Sequence, residues 1–246
     1  MKNIIYLYGS ILLVPVIINY GLLTWSAPGV STDANPWLGF LGSFLGFIGA
    51  ISIALLNNSN QKKRDFEQEK KNNRSFILLH DFHGPLGLKT IKTHENSRLI
   101  RTEGYESLLG KVSKVDFDST STSYIKISQF GNSDVILNCN ICISSMDDDS
   151  NKFPDIVVNT GIIEKQIELF IPVVPSEIEK GQVINLTKIV IEYSTLMNER
   201  MKYIMDFDRL KEFHFVINEK NEDVTLFEFD ITGSKWSYPN KSKNDD

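Results

Sequence analysis

Residues 37–56 read WLGFLGSFLGFIGAISIALL, twenty side chains without a charge. As an α-helix at 1.5 Å per residue this stretch extends about 30 Å, the thickness of a bilayer's hydrocarbon core. Residues 4–25 form a second uncharged stretch, about 33 Å long as a helix. Between Ile4 and Leu56 there is no Lys, Arg or Glu, and Asp33 is the only acid. Pro15 and Asn19 interrupt the earlier stretch, which a membrane helix tolerates when neighbours satisfy the freed carbonyl. The eleven residues from Ser26 to Pro36 can join only antiparallel helices. The reading is a transmembrane hairpin over residues 1–56.

Trp25 and Trp37 bracket the turn, where amphipathic rings favour the headgroup layer. Beyond the second span Lys62, Lys63 and Arg64 begin a basic flank that continues with Lys70, Lys71 and Arg74. The turn has no base at all, so the positive-inside rule places both termini in the cytoplasm of a multi-pass inner-membrane protein. A cleaved signal peptide is the rival reading, but the apolar run is long for one and Trp25 lies beside the supposed cleavage site. Within residues 37–56, Gly42, Gly46, Ala50 and Ala54 recur every fourth position, with Gly39, Ser43 and Gly49 alongside. Residues four apart share a helix face, so these small side chains allow close approach of another helix. That helix is the first span of the same chain, a second copy, or both.

Residues 57–74 extend the helix as a polar, basic stalk able to touch anionic headgroups. The charge then reverses. Residues 1–74 carry seven bases and four acids, and residues 75–246 carry nineteen and twenty-seven. An acidic domain beside an acidic bilayer stands off it and favours protein or neutral partners over nucleic acid.

From Tyr124 onward apolar residues alternate with period two. Ile125 and Ile127 begin the series. Val135, Leu137, Cys139, Ile141 and Ile143 are expected on one face. Similar runs surround Ile167–Val173, Ile189–Tyr193, Met201–Phe207, Phe213–Ile217 and Phe227–Ile231. Seven short strands separated by turn-rich breaks make a mainly-β domain over residues 75–236, a β-sandwich or small barrel. Short helices are expected around Ser75–Leu79 and Glu103–Leu109, and a disordered tail over 237–246.

Chemical motifs are examined and set aside. Cys139 and Cys142 have redox or zinc spacing, yet on a strand positions three apart project from opposite faces. His80 and His83 lack the glutamate and third ligand of a zinc hydrolase, although His94 and Glu95 follow. Gly84–Thr90 misses the adjacent Gly-Lys of a phosphate loop because Leu88 intervenes. Asp147, Asp149 and Asn151 begin like a calcium loop, but Lys152 and Val158 occupy the positions of its glycine and bidentate glutamate. The reading is a non-enzymatic protein with no catalytic residues, cofactor or metal. Its partners are the lipid bilayer, a protein or small signalling ligand of the β-domain, and other copies of itself.

Two membrane helices followed by a cytosolic β-domain resemble the membrane effectors of bacterial antiphage systems, both retron-associated and of the cyclic-oligonucleotide (CBASS) type. The strand–turn–strand Ile127-x-Gln129-x-Gly131-Asn132-Ser133 leading into Val135-x-Leu137 is similar to that of membrane-anchored β-sandwich proteins. The resemblance covers the architecture and matches no catalytic motif. It implies an oligomeric effector of antiviral defence that disrupts the membrane. The alternative is a passive anchor that recruits a partner.

Overall fold

The computed structural model describes residues 34–87, 96–178 and 182–231, together with positions 9, 13, 16, 17, 20 and 21. The chain divides into two compact units, Met1–Glu67 and Gln68–Asp246. Helix α1, Ala34–Asn72, supplies most of the described part of the first. Among the described residues it is the one helix long and apolar enough to cross a bilayer, where a hairpin of two was expected. The first expected span over 4–25, save the isolated positions above, lies outside the described residues. So do Trp25 and the tail over 237–246. The expected turn over 26–36 ends early, since Ala34, Asn35 and Pro36 already belong to α1. A proline in a first turn costs no hydrogen bond, because those amides have no intrahelical acceptor.

Gln68–Asp246 is built from two sheets. β1 (Ser75–Pro85), β2 (Arg98–Leu99), β3 (Ser121–Gly131) and β6 (Leu169–Pro172) form a four-stranded sheet in the order β1-β3-β6-β2. β4 (Val135–Met146), β5 (Ile156–Glu164), β7 (Asn185–Ser194), β8 (Arg200–Asp206), β9 (Lys211–Ile217) and β10 (Asp223–Asp230) form a six-stranded one in the order β10-β9-β8-β7-β4-β5. All pairings are antiparallel except β2 with β6. Ile77, Ile125, Ile127 and Ile171 of the smaller sheet share one buried cluster with Ile136, Ile141, Ile143, Ile189, Ile191 and Tyr203 of the larger. The sheets therefore face each other as a sandwich, and each keeps two free ends, so no barrel closes.

Three strands escape the alternation rule. Ser75–Leu79, expected as a short helix, opens the eleven-residue strand β1, which pairs with β3 along its whole length. The run Phe76-Ile-Leu-Leu79 fits either period, and the pairing decides. β2 is too short to show a period, and Gly161 breaks that of β5. A second correction concerns β4. Its register slips between Leu137 and Asn140, where Asn138 sits at φ 50°. Asparagine tolerates this left-handed backbone, and the extra residue shifts the facing by one. Ile136 is thus buried while Val135 and Leu137 are half-buried, and the expected inward face resumes only at Cys139.

The outer face of the smaller sheet is covered by helix α2, Glu103–Lys111, as the sequence anticipates for this region. Leu86, Tyr105, Tyr124 and Phe170 make a second cluster beneath Leu108 and Leu109. That is why β6 is buried on both faces, with Ile171 in one cluster and Phe170 in the other. The Tyr105 hydroxyl donates to the Leu86 carbonyl, and Tyr124 donates to that of Pro85 at 2.8 Å. Thr102 caps α2 by accepting from the Tyr105 amide. Gly104 lets the helix touch the chain after β6: a Cβ there would lie 2.0 Å from the Val174 carbonyl oxygen.

Candidate membrane helix

α1 is helical throughout its 39 residues, about 58 Å at the standard rise. Its apolar part over 37–56 accounts for about 30 Å, and the polar remainder carries the basic flank. No part of the apolar segment is buried among the described residues. Phe47 is 63% exposed and Ile53 61%, with Leu45, Ile51, Leu55 and Leu56 similarly bare. A helix this apolar and this little buried is unstable in water, and hydrocarbon is a medium that would solvate it.

Gly39, Gly42, Gly46 and Gly49 lie on α1, and a Cβ built on any of them meets nothing within 4 Å. Ser43 returns its hydroxyl proton to the Gly39 carbonyl at 3.0 Å, which satisfies the group without a second helix. Ala50 and Ala54 are exposed. The small-residue face is thus open among the described residues. Trp37 lies in the first turns of α1, and Lys62, Lys63 and Arg64 are exposed on its polar half. Lys70 and Lys71 fall in the last turn, where cations complement the helix dipole.

The last turn belongs to the second unit, where a polar knot ties it to the sandwich. Arg74 meets Glu199 through two parallel 2.7 Å bonds, Nε to Oε2 and Nη2 to Oε1. Glu199 is only 4% exposed, so this fork is a buried ion pair rather than a surface one. Next to it Ser75 is fully buried. Its carbonyl accepts from the Tyr193 hydroxyl at 2.7 Å, and its hydroxyl oxygen accepts from Gln129 at 3.1 Å. Asn132 donates to the Asn72 carbonyl, closing the helix end. Gly131, at φ 135°, is required here, since a Cβ would lie 2.5 Å from the Arg74 carbonyl oxygen. Sequence reading missed this knot, because Arg74 and Glu199 stand 125 positions apart and each reads alone as a solvated charge.

Cys139 is buried and Cys142 half-exposed, on opposite faces of β4, and both are free thiols. Burial pushes the Cys139 thiol up to about 12. Burial and the Asp155 carboxylate raise that of Cys142. Neither is an activated nucleophile. His80 and His83 are exposed on β1, with His83 3.3 Å from the Ser123 hydroxyl, while His94 and residues 88–90 lie outside the described residues. Asp147 accepts from the backbone and side-chain amides of Asn151, which draws the β4–β5 loop into a tight turn and lowers the carboxyl's pKa. Among the described residues no cluster of three or more His, Cys, Asp or Glu is arranged to hold a metal ion. A cleft of about 570 Å³ beside α2 is lined by hydroxyls of Ser107, Ser113 and Thr120 with Lys111, a lining without histidine or cysteine.

One titratable group is unusual. His214 on β9 is 7% exposed and enclosed by the rings of Phe76, Tyr203, Phe227 and Phe229, with centroids 4.9 to 6.3 Å away. Desolvation pulls its pKa down to about 4, so it is neutral at physiological pH. Comparison with protein-family models, with curated proteins and with solved structures finds no match.

Proposed function

We infer that the protein is a non-enzymatic effector of the bacterial inner membrane. In this reading α1 and the apolar stretch over 4–25 form a two-span anchor with both termini in the cytoplasm. The acidic sandwich receives a protein partner or a small signalling ligand. The anchors of several copies then assemble along the Gly42, Gly46, Ala50 and Ala54 face and breach the bilayer, a role suited to antiphage defence. The observation that carries the reading is the apolar segment of α1, which has no buried residue and an open small-residue face among the described residues. The Arg74–Glu199 pair lies just after the last residue of α1 and within the sandwich's own unit. The spans carry no charge, so a breach needs several copies and displaced lipid. High thiol pKa values and the hydroxyl-lined cleft favour binding over covalent chemistry.

Induced expression of the full chain tests it, with membrane potential read by a voltage-sensitive dye. The expected result is rapid depolarisation that Gly46→Leu abolishes while the variant still accumulates in the membrane. An intact potential with abundant wild-type protein would instead favour a passive anchor that recruits a partner. One observation speaks for that second reading, the bare apolar edge of the larger sheet.

A further inference from the structure

β10 closes one side of the six-stranded sheet, and among the described residues nothing pairs with its outer edge. Its register against β9 sorts its side chains into two rows. Val224, Phe227 and Phe229 stand opposite Val216, His214 and Glu212, on the face turned toward β1. They remain 47%, 46% and 52% exposed, and the Phe227 ring reaches Phe76 at 5.5 Å. Asp223, Thr225, Glu228 and Asp230 occupy the opposite face. A bulge at Leu226, which packs on the core, separates the two halves of the strand.

The acidic row ends a charge ladder that crosses the sheet. Glu192 on β7 faces Lys202 on β8 at 3.8 Å, and Lys202 reaches Asp223 at 2.8 Å. Lys211 on β9 pairs with Glu228 and stands in register with Asp230. Lys202 reaches over β9 to Asp223, whereas Lys188 on β7, Asp206 on β8, Lys211 on β9 and Asp230 on β10 stand in register with alternating sign, and the row stops on a carboxylate at the open edge. The next strand in that order is basic. Pairing of β10 with a second copy of itself sets these carboxylates against their own kind, and like charges directly opposite are destabilising.

We propose that β10 is a strand-addition site for an extended segment of a partner protein in which basic residues alternate with apolar ones. Main-chain hydrogen bonds to the free edge supply affinity. The basic row meets Asp223, Glu228 and Asp230, and the apolar row packs on Val224, Phe227 and Phe229. The site names the class of partner for the receiving role proposed above and rests on that role only for its biological use. Peptide binding and depolarisation are separate measurements, so either fails without the other.

The test uses the full chain in detergent micelles and a fluorescein-labelled octapeptide alternating lysine and valine, read by anisotropy. The controls are a block peptide of the same composition and an alternating glutamate–valine peptide. Expected is binding of the alternating basic peptide at least about tenfold tighter than the block peptide, a difference near 1.4 kcal/mol. Asp223→Lys with Asp230→Lys, both exposed substitutions, should reverse the preference toward the glutamate peptide, and Phe227→Ser should weaken binding by about tenfold. The double variant carries the test if Phe227→Ser fails to fold. Equal binding of block and alternating peptides, or binding indifferent to the double variant, overturns the proposal. So does a dimer that the double variant alters in place of peptide binding. Binding that appears only in a chain ending at Ile231 makes residues 232–246 the occupant and equally overturns it.

Discussion

Isoleucine does opposite things in the two units. Ile51 and Ile53 on α1 are 43% and 61% exposed, whereas Ile141, Ile143, Ile189 and Ile191 on the strands are entirely buried. The side chain is the same; the source of its cover differs. Strands with one apolar face bury it against a second sheet of the same chain, so the sandwich carries its own core. The apolar part of α1 has no buried residue among those described, and it is long and apolar enough to cross a bilayer. Exposure that would mark a fault in the sandwich fits, on α1, a helix able to cross a membrane.

The sharpest way to break this contrast is to charge the helix. Ile48→Arg with Ile51→Arg places two cations mid-span at about 2.5–3.5 kcal/mol each on insertion scales. The expected outcome is loss of the carbonate-resistant membrane fraction, with thermal unfolding of the sandwich unchanged. If the doubly charged chain stays in the membrane, α1 is not what holds it there.

The converse substitution strikes the sandwich alone. Glu199→Ala leaves the half-buried Arg74 guanidinium without its bidentate carboxylate, a loss of about 3 kcal/mol by denaturant unfolding. Membrane association should not change. Adding Arg74→Met should recover much of that stability, because an apolar pair of similar volume needs no desolvated charge.

The smallest effect is one of pH. His214 in the folded chain stays neutral down to about pH 4, while in the unfolded chain it gains a proton near its ordinary value of 6.5. Between those values the unfolded state binds more protons, so this group lowers stability as pH falls from 6.5 to 4, by at most about 3 kcal/mol. Above 6.5 it contributes no slope. His214→Phe should flatten the pH dependence of the sandwich's unfolding midpoint across that window and leave α1's membrane association unaltered. An unchanged slope in the variant would mean that other groups set it.

Legibility followed the range of the forces involved. α1 was readable because twenty uncharged residues in a row are a local fact, and so were seven strands with period-two runs, β3, β4, β6, β7, β8, β9 and β10, although bulges interrupt β4 and β10. β1 was misread at its start, because Phe76–Leu79 satisfies two periods and only its pairing with β3 chooses between them. The facing of β4 was read correctly beyond the bulge and shifted by one before it, since Asn138 gives no sign in sequence that it will adopt a positive φ. The cysteines were placed on opposite faces, as found, since that follows from strand geometry alone. Arg74 with Glu199, and the acidic row of β10 with its lysine neighbours, were invisible because their partners come from distant parts of the chain.

By itself, then, the amino-acid order determined that this chain has a long apolar helix, a basic flank and an acidic mainly-β part, since each depends on composition and periodicity over a few neighbouring residues. Tertiary structure decided the sandwich over the barrel, which strand lies at each free edge and which charges are buried as pairs. Those depend on contacts between residues far apart in the chain, where the free energy of pairing and packing outweighs any local preference.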